Sequence, residues 1–251
     1  MVSFKSLLKS TAILFLVLTL ASCSGKKEIL SDSLQERFEQ GLAEYEKEKY
    51  YKAIDHFTFV VFNSPGSEIA DDAQLYLADC HFNLKEYLVA IDEYQRLIRR
   101  WPASPLVESA RYKIAASYNE LSPTYQRDQT YTHQAIQSYQ RFLEDYPYSN
   151  NSDVAMGKIK ELRSKLAKKA YDSGKLYMVL HEWKAAVISF EELVDSYWDT
   201  EWIDPGYLAI AQCYAKMEDT ENSARFLSQV NPKKLSNPQD ILLYRNLSGD
   251  Q

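Results

Sequence analysis

Glycine is scarce in this chain, 7 of 251 residues beside 8 prolines, where an average protein carries about 7% glycine. A many-stranded sandwich or barrel spends Gly and Asn-Gly on its hairpins, so that class loses support. Neither common Gly-rich phosphate loop occurs, which removes the sequence argument for a nucleotide-binding α/β fold. CxxC, HExxH and GxSxG are missing as well, and with them the usual signs of metal or nucleophile chemistry. His56, His81, His133 and His181 are scattered, with no pair spaced to put two ligands on one helix face. Cys80 and His81 are adjacent, about 100° apart around a helix, so they do not converge. What is present is 45% apolar residues and 19 tyrosines, which suits packed helices with polar ring tips. The expectation is an all-α protein that is not an enzyme and has no metal.

No acidic residue precedes Glu28. Lys5 and Lys9 lead into the apolar run Ala12–Leu20, followed by Ala21-Ser22-Cys23, the layout of a secretory signal. The run is about half of the ~20 residues that span a bilayer, so it does not read as a membrane helix. Leu20-Ala21-Ser22-Cys23 resembles the bacterial lipobox, whose cysteine becomes the lipidated N-terminus. Cleavage before Cys23 leaves a thiol and an α-amine. Two or more acyl chains on them anchor stably, at roughly 0.8 kcal/mol per buried CH₂. The covalent diacylglycerol and acyl chain on Cys23 are the only added groups expected. Ser24 stands where an aspartate would signal inner-membrane retention, which favours the outer membrane. Losing Lys5 and Lys9 with the signal moves the net charge from −6 to −8, a poor surface for nucleic acid.

A repeating unit fills the rest. Ala53, Ala90, Ala135 and Ala186 are each followed four residues later by an aromatic: Phe57, Tyr94, Tyr139 and Phe190. Twelve residues after the alanine stand Pro65, Pro102 and Pro147, with Trp198 in the fourth unit. An aromatic precedes the alanine at Tyr50, Tyr87 and Trp183, and Thr132 breaks that pattern in the third. Ser223-Ala224 with Leu227 makes a fainter fifth copy. On the preceding helix a small residue recurs at Gly41, Ala78, Ala115, Gly174 and Ala211. Three positions earlier come Phe38, Leu75, Tyr112, Tyr171 and Leu208. Residues three apart share a helix face, so the small residue lets the second helix come close. The pattern resembles the tetratricopeptide repeat, stretched from the usual period to 37. That resemblance implies a superhelix of five helix–turn–helix units. Cys80 and Cys213, at equivalent positions in units two and five, read as buried small hydrophobes.

The irregularities are informative. Eight extra residues lie between the helices of unit three, in 122–131, and fourteen lie before the first helix of unit four. The second insertion reads as one elongated helix from Ser152 to Leu180. At 1.5 Å per residue it would be ~43 Å long, about twice an ordinary repeat helix, so one end should project. Lys158, Lys160, Arg163, Lys165, Lys168 and Lys169 form a basic stripe on it, either a solvated face or a docking site for an acidic partner. The domain reading is a signal peptide over 1–22, a lipidated linker over 23–33, five repeats over 34–235 and a tail over 236–251.

Repeat arrays use a concave surface lined by first helices. Counting from the small residue, the groove positions are Phe38, Leu42 and Tyr45 in unit one, Asp79 and Phe82 in unit two, and Tyr112, Ala116 and Asn119 in unit three. An extended peptide with an aromatic or apolar end fits such a lining. The lipobox, the repeats, Tyr146-Pro147-Tyr148-Ser149 closing unit three and Arg127-Asp128 in the insertion together resemble the BamD family, lipoproteins of the outer-membrane β-barrel assembly machinery. The resemblance covers residues 23 to about 230. It implies a periplasm-facing scaffold that holds BamA periplasmic domains, associates with other assembly lipoproteins and receives C-terminal signals of unfolded barrel proteins. Tyr197-Trp198 departs from the expected Tyr-Pro, so the linker after unit four should differ. The alternative is a lipid-anchored adaptor recruiting another cell-envelope enzyme or client.

Overall fold

The structure, a computed structural model, describes residues 24–63 and 65–249, with side chains from Ser33 onward. The signal peptide at 1–22 and Cys23 lie outside the described residues. Every element among the described residues is helical. The chain divides into two units, one ending at Ala110 and one beginning at Arg111. The first holds α1 (Ser24–Glu46), α2 (Tyr50–Asn63), α3 (Ala70–Asn83) and α4 (Tyr87–Arg100). The second takes most of α5 (Val107–Leu121), then α6 (Thr130–Asp145), α7 (Ser152–Val179), α8 (Trp183–Ser196), α9 (Ile203–Lys216), α10 (Thr220–Leu227) and α11 (Pro238–Ser248). Two expected boundaries change. Residues 24–33 are the first turns of α1 rather than a linker, and most of the expected tail folds as α11.

The repeat signature becomes packing at helix crossings. Ala53, Ala90, Ala135 and Ala186 have no exposed surface, and neither do Ala78, Ala115 and Ala211 on the facing helices. A Cβ on Gly41 would stand 2.7 Å from the Phe57 ring, and one on Gly174 only 2.6 Å from the Phe190 ring. In the faint fifth copy, Ser223 replaces the alanine and its hydroxyl donates to the Ala211 carbonyl at 2.9 Å. The substitution thus puts a hydrogen bond where the others have a methyl contact.

Four of the turns inside a helix pair share one backbone solution. Glu48, Lys85, His181 and Glu218 adopt positive φ between 57° and 62°. After each, an N–H reaches back five residues: Lys49 to Glu44, Glu86 to His81, Glu182 to Tyr177 and Asp219 to Tyr214, all at 2.9–3.0 Å. This is the Schellman arrangement, usually built on glycine. Unit three departs from it because its insertion replaces the tight turn. The connection after unit four does not differ as expected. Thr200 N–H donates to the Tyr197 carbonyl at 3.1 Å, as Ser104 does to Trp101 and Ser149 to Tyr146. The hydroxyl residue carries the turn there, so replacing proline by Trp198 leaves it intact.

The 28-residue α7 does not leave an end projecting. Its first half places Leu162 and Leu166 in a core with Ile136, Tyr139 and Phe142. Its second half gives Met178 and Tyr171 to a core with Phe190 and Ile210. The extra length lets one helix serve two cores.

Candidate functional site

In the first unit, the groove register places several residues in the interior. Phe38 is 8% exposed and packs on Phe57 and Tyr76 at 5.7 and 6.0 Å between ring centroids. Asp79 is 6% exposed and accepts from the buried Tyr94 hydroxyl at 2.5 Å. In the second unit, Tyr112 packs on Tyr139 and Phe142 at 6.0 and 5.4 Å. Phe38 and Asp79 are corrections, whereas Tyr112 is only partly buried and keeps some of its surface. Phe38, three before the small residue, faces the second helix of its own pair, where the repeat's aromatic fills the core, and Asp79, one after the small residue, turns inward to the Tyr94 hydroxyl.

The other groove residues keep part of their surface. Leu42 is half-buried against the Phe38 cluster. Tyr45 meets Tyr50 and Tyr76 edge-on, its hydroxyl accepts from Asn83 Nδ2 at 3.1 Å, and burial pushes its phenol up to about 12. Phe82 is half-buried with one edge on Tyr87. Ala116 and Asn119 are half-exposed in the second unit.

The second unit also holds a polar constellation that the repeat pattern does not announce. Lys165 Nζ donates to Ser122 Oγ at 2.5 Å and to the Pro123 carbonyl at 3.1 Å. Ser122 and Thr132 hydroxyls meet at 2.5 Å, and Thr132 donates onward to Gln129 Oε1 at 2.7 Å. Gln129 Nε2 then donates to the Thr124 and Arg127 carbonyls at 2.9 and 3.0 Å. Because Thr132 spends its proton on Gln129, Ser122 is the donor of its pair, and the relay runs one way from Lys165 into the loop. Lys169 Nζ donates to the Arg127 carbonyl at 2.6 Å. Lys168 Nζ lies over the Tyr125 and Trp202 rings at 4.8 and 5.4 Å.

Most of the basic stripe is therefore engaged inside the protein. Arg163 grips Asp199 with Nε and Nη2 and reaches the Ser196 carbonyl at 2.8 Å. These hydrogen bonds hold the Asp199 carboxyl below its ordinary range. Lys158 pairs with Glu161 at 2.8 Å. Burial alone pulls the Lys165 ammonium below the usual lysine range. Neither a solvated face nor a free docking stripe describes this element: it clamps the unit-three insertion and the loop after α8. What the clamp leaves outward are the exposed side chains of Gln126, Arg127 and Asp128. Asp128 also accepts from Thr130 N–H at 3.0 Å, closing the loop onto α6. The sequence showed the lysines at i, i+3 and i+4, but not their backbone-carbonyl targets, which no residue type marks.

Cys80 and Cys213 are buried free thiols, pushed by burial up to about 12 and about 11, so neither offers a thiolate near neutral pH. Among the described residues, no group of three His, Cys, Asp or Glu could hold a metal ion. No helix among them is long and apolar enough to cross a membrane.

Comparison with known proteins gives a family-level match. Residues 31–227 match the model of the family YfiO, described as an outer membrane lipoprotein. Outer membrane protein assembly factor BamD of Rickettsia prowazekii is 28% identical over 192 residues, covering 76% of each chain. The protein of the same name from Caulobacter vibrioides is 24% identical over 212 residues, 82% of this chain and 70% of the relative. Among solved structures, the TPR2AB-domain:pHSP90 complex of yeast Sti1 superposes with a TM-score of 0.46 at 16% identity, covering 87% of this chain and 84% of that one.

Proposed function

The chain belongs to the YfiO family of outer membrane lipoproteins, and on that footing we propose that it is a lipid-anchored scaffold of the β-barrel assembly machinery. It holds periplasmic domains of BamA and receives C-terminal signals of unfolded barrel proteins. The observation that carries the reading is the family match across residues 31–227, which takes in the helix pairs and the clamped loop. The relatives named as assembly factors support it.

In this reading Cys23 carries the acyl chains. Since α1 begins at Ser24, Leu34 lies about 15 Å along that helix at 1.5 Å per residue. Leu42, Tyr45 and Phe82 offer the partly exposed apolar surface on which an aromatic client terminus packs. Phe38 and Asp79 support that surface from within. The loop bearing Arg127 and Asp128, fixed before any partner arrives, spares the ordering cost of binding. Affinity purification from detergent-solubilised membranes tests the reading. BamA in the eluate is the expected result, and a murein hydrolase without BamA would replace it with the adaptor alternative. Cys23→Ala should release the protein from membranes. Retention without detergent would remove the lipid anchor from the proposal.

A further inference from the structure

The last helix pair carries a cover that is seated loosely. Leu208, Val230 and Leu235 form a small buried cluster, flanked by Tyr207 and Leu227, and α11 lies across it with Ile241, Leu243, Tyr244 and Leu247. The connection leading to α11 is pinned in its own right. Val230 and Leu235 are buried, and Asn231 N–H donates to Asp204 Oδ1 at 2.6 Å.

The helix itself is held far less firmly. None of its residues is buried, and Leu242 is 60% exposed. A cleft of about 540 Å³, open to solvent, runs between it and the preceding helices, lined by Thr220, Ala224, Leu227, Tyr244 and Leu247 among others. Side chains along so open a cleft meet water in place of the dispersion contacts that close packing supplies. Docking also burdens Asp240, whose carboxyl burial pushes above its ordinary range, with Lys175 of α7 opposing the shift.

The ends of α11 are satisfied locally. Asn237 caps the start by accepting from Gln239 N–H at 3.0 Å, Pro238 takes the first turn, and Gly249 closes the end at φ 76°. It is a self-capped helix on a fixed tether, and leaving its seat costs it no end cap.

We propose that α11 is a displaceable cover, and that the site beneath it takes an amphipathic helix from a partner protein with bulkier apolar side chains where Tyr244 and Leu247 stand. A helix is the occupant because the seat already holds one, 11 residues long, along an apolar stripe at i, i+3 and i+6. The larger side chains follow from the open cleft, whose walls α11 leaves uncovered. Such a helix gains contacts that α11 lacks, and needs them, because a tethered competitor acts at about millimolar effective concentration. This inference stands whether or not the assembly reading does.

The test uses the full chain and two labelled peptides: residues 238–249 in native sequence, and the same peptide with Leu247→Trp. On the unmodified chain, amide exchange in α11 should run at least 100-fold faster than in α9. Equal protection of the two helices overturns the proposal. In a full chain weakened by Ile241→Ala and Tyr244→Ala, with helicity of α1–α10 checked by circular dichroism, the native peptide should bind at least tenfold more tightly than to the unmodified chain. The Leu247→Trp peptide should bind the weakened chain more tightly still. Equal peptide affinity for both chains, or no gain from the tryptophan, also overturns it.

Discussion

Lys169 and Arg127 meet across 42 positions of sequence, the ammonium of one donating to the backbone carbonyl of the other at 2.6 Å. Lys165 makes the matching contact to Ser122 and Pro123 one helical turn earlier. Together they turn an eight-residue insertion into a fixed feature of the helix beside it. A loop held through its carbonyls has an outer surface free for other use, here Arg127 and Asp128.

Lys165→Met should therefore cost about 1 kcal/mol, the lower end of the range for leaving acceptors unpaired, since Ser122 and Pro123 are only part-buried. It should also free the loop, so that limited trypsin digestion cuts after Arg127 before other sites. The exposed Lys160 supplies the control: Lys160→Met should stay within about 0.5 kcal/mol of the unmodified chain. A loop no more sensitive in Lys165→Met than in Lys160→Met would show that the clamp does not order it.

The Arg163–Asp199 pair gives a pH dependence of definite sign. The folded chain holds the Asp199 carboxyl below its ordinary value of 3.8, so the unfolded chain binds that proton more readily. The contribution is complete above that value and lost as pH falls through the lowered one. Both side chains are partly solvated, which limits the pair to about 1 kcal/mol. Thermal melts should show Asp199→Asn less stable than the unmodified chain at pH 7, with the gap closing as the pH falls below 3.8. A gap unchanged at acid pH would assign the stability difference to something other than the ion pair.

The sequence disclosed whatever close packing dictates and missed what backbone atoms supply. Ala53, Ala90, Ala135 and Ala186 could be read because a crossing helix tolerates nothing larger there. Phe38 was misassigned because the residue three before the small position lies where the partner-helix face and the groove face meet. Counting positions does not divide the two faces; the tilted contact of the Phe38 ring with Phe57 does. The clamp was hidden because the targets of Lys165 and Lys169 are carbonyls, which every residue type carries. The turn at Tyr197-Trp198 keeps its form without the proline because the Thr200 hydroxyl, donating to the Tyr197 carbonyl at 2.8 Å, helps hold it. The last helix looked like a tail because it is short and opens on proline.

Two glycines of α7 should respond oppositely to alanine. At Gly157 a Cβ meets nothing within 4 Å, so Gly157→Ala should stabilise by up to about 1 kcal/mol through helix propensity. At Gly174 the same methyl meets the fully buried Phe190 ring at 2.6 Å. Overpacking there costs about 1–3 kcal/mol, which exceeds the propensity gain, so Gly174→Ala should be net destabilising. Denaturant midpoints decide it. Adding Phe190→Leu to Gly174→Ala should recover part of the loss; no recovery would mean that the clash with that ring is not the cause.

Glycine is scarce here because four Schellman turns are made without it, and that use of side-chain residues leaves stability unclaimed. Lys85 holds φ at 62°, where an L-residue pays about 1–2 kcal/mol. Glycine at that position removes the strain and adds back about 0.5–1 kcal/mol of unfolded-chain entropy. Lys85→Gly should thus raise the denaturation midpoint by a net gain of up to about 1 kcal/mol, with no change in the denaturant slope. Lys85→Val should lower it, since a β-branched side chain fits the left-handed region worst. The two substitutions remove the same charge, so a common shift in both would trace to the lost ammonium. Shifts of opposite sign trace to the backbone, and the same ordering should hold at His181, whose φ is 60°.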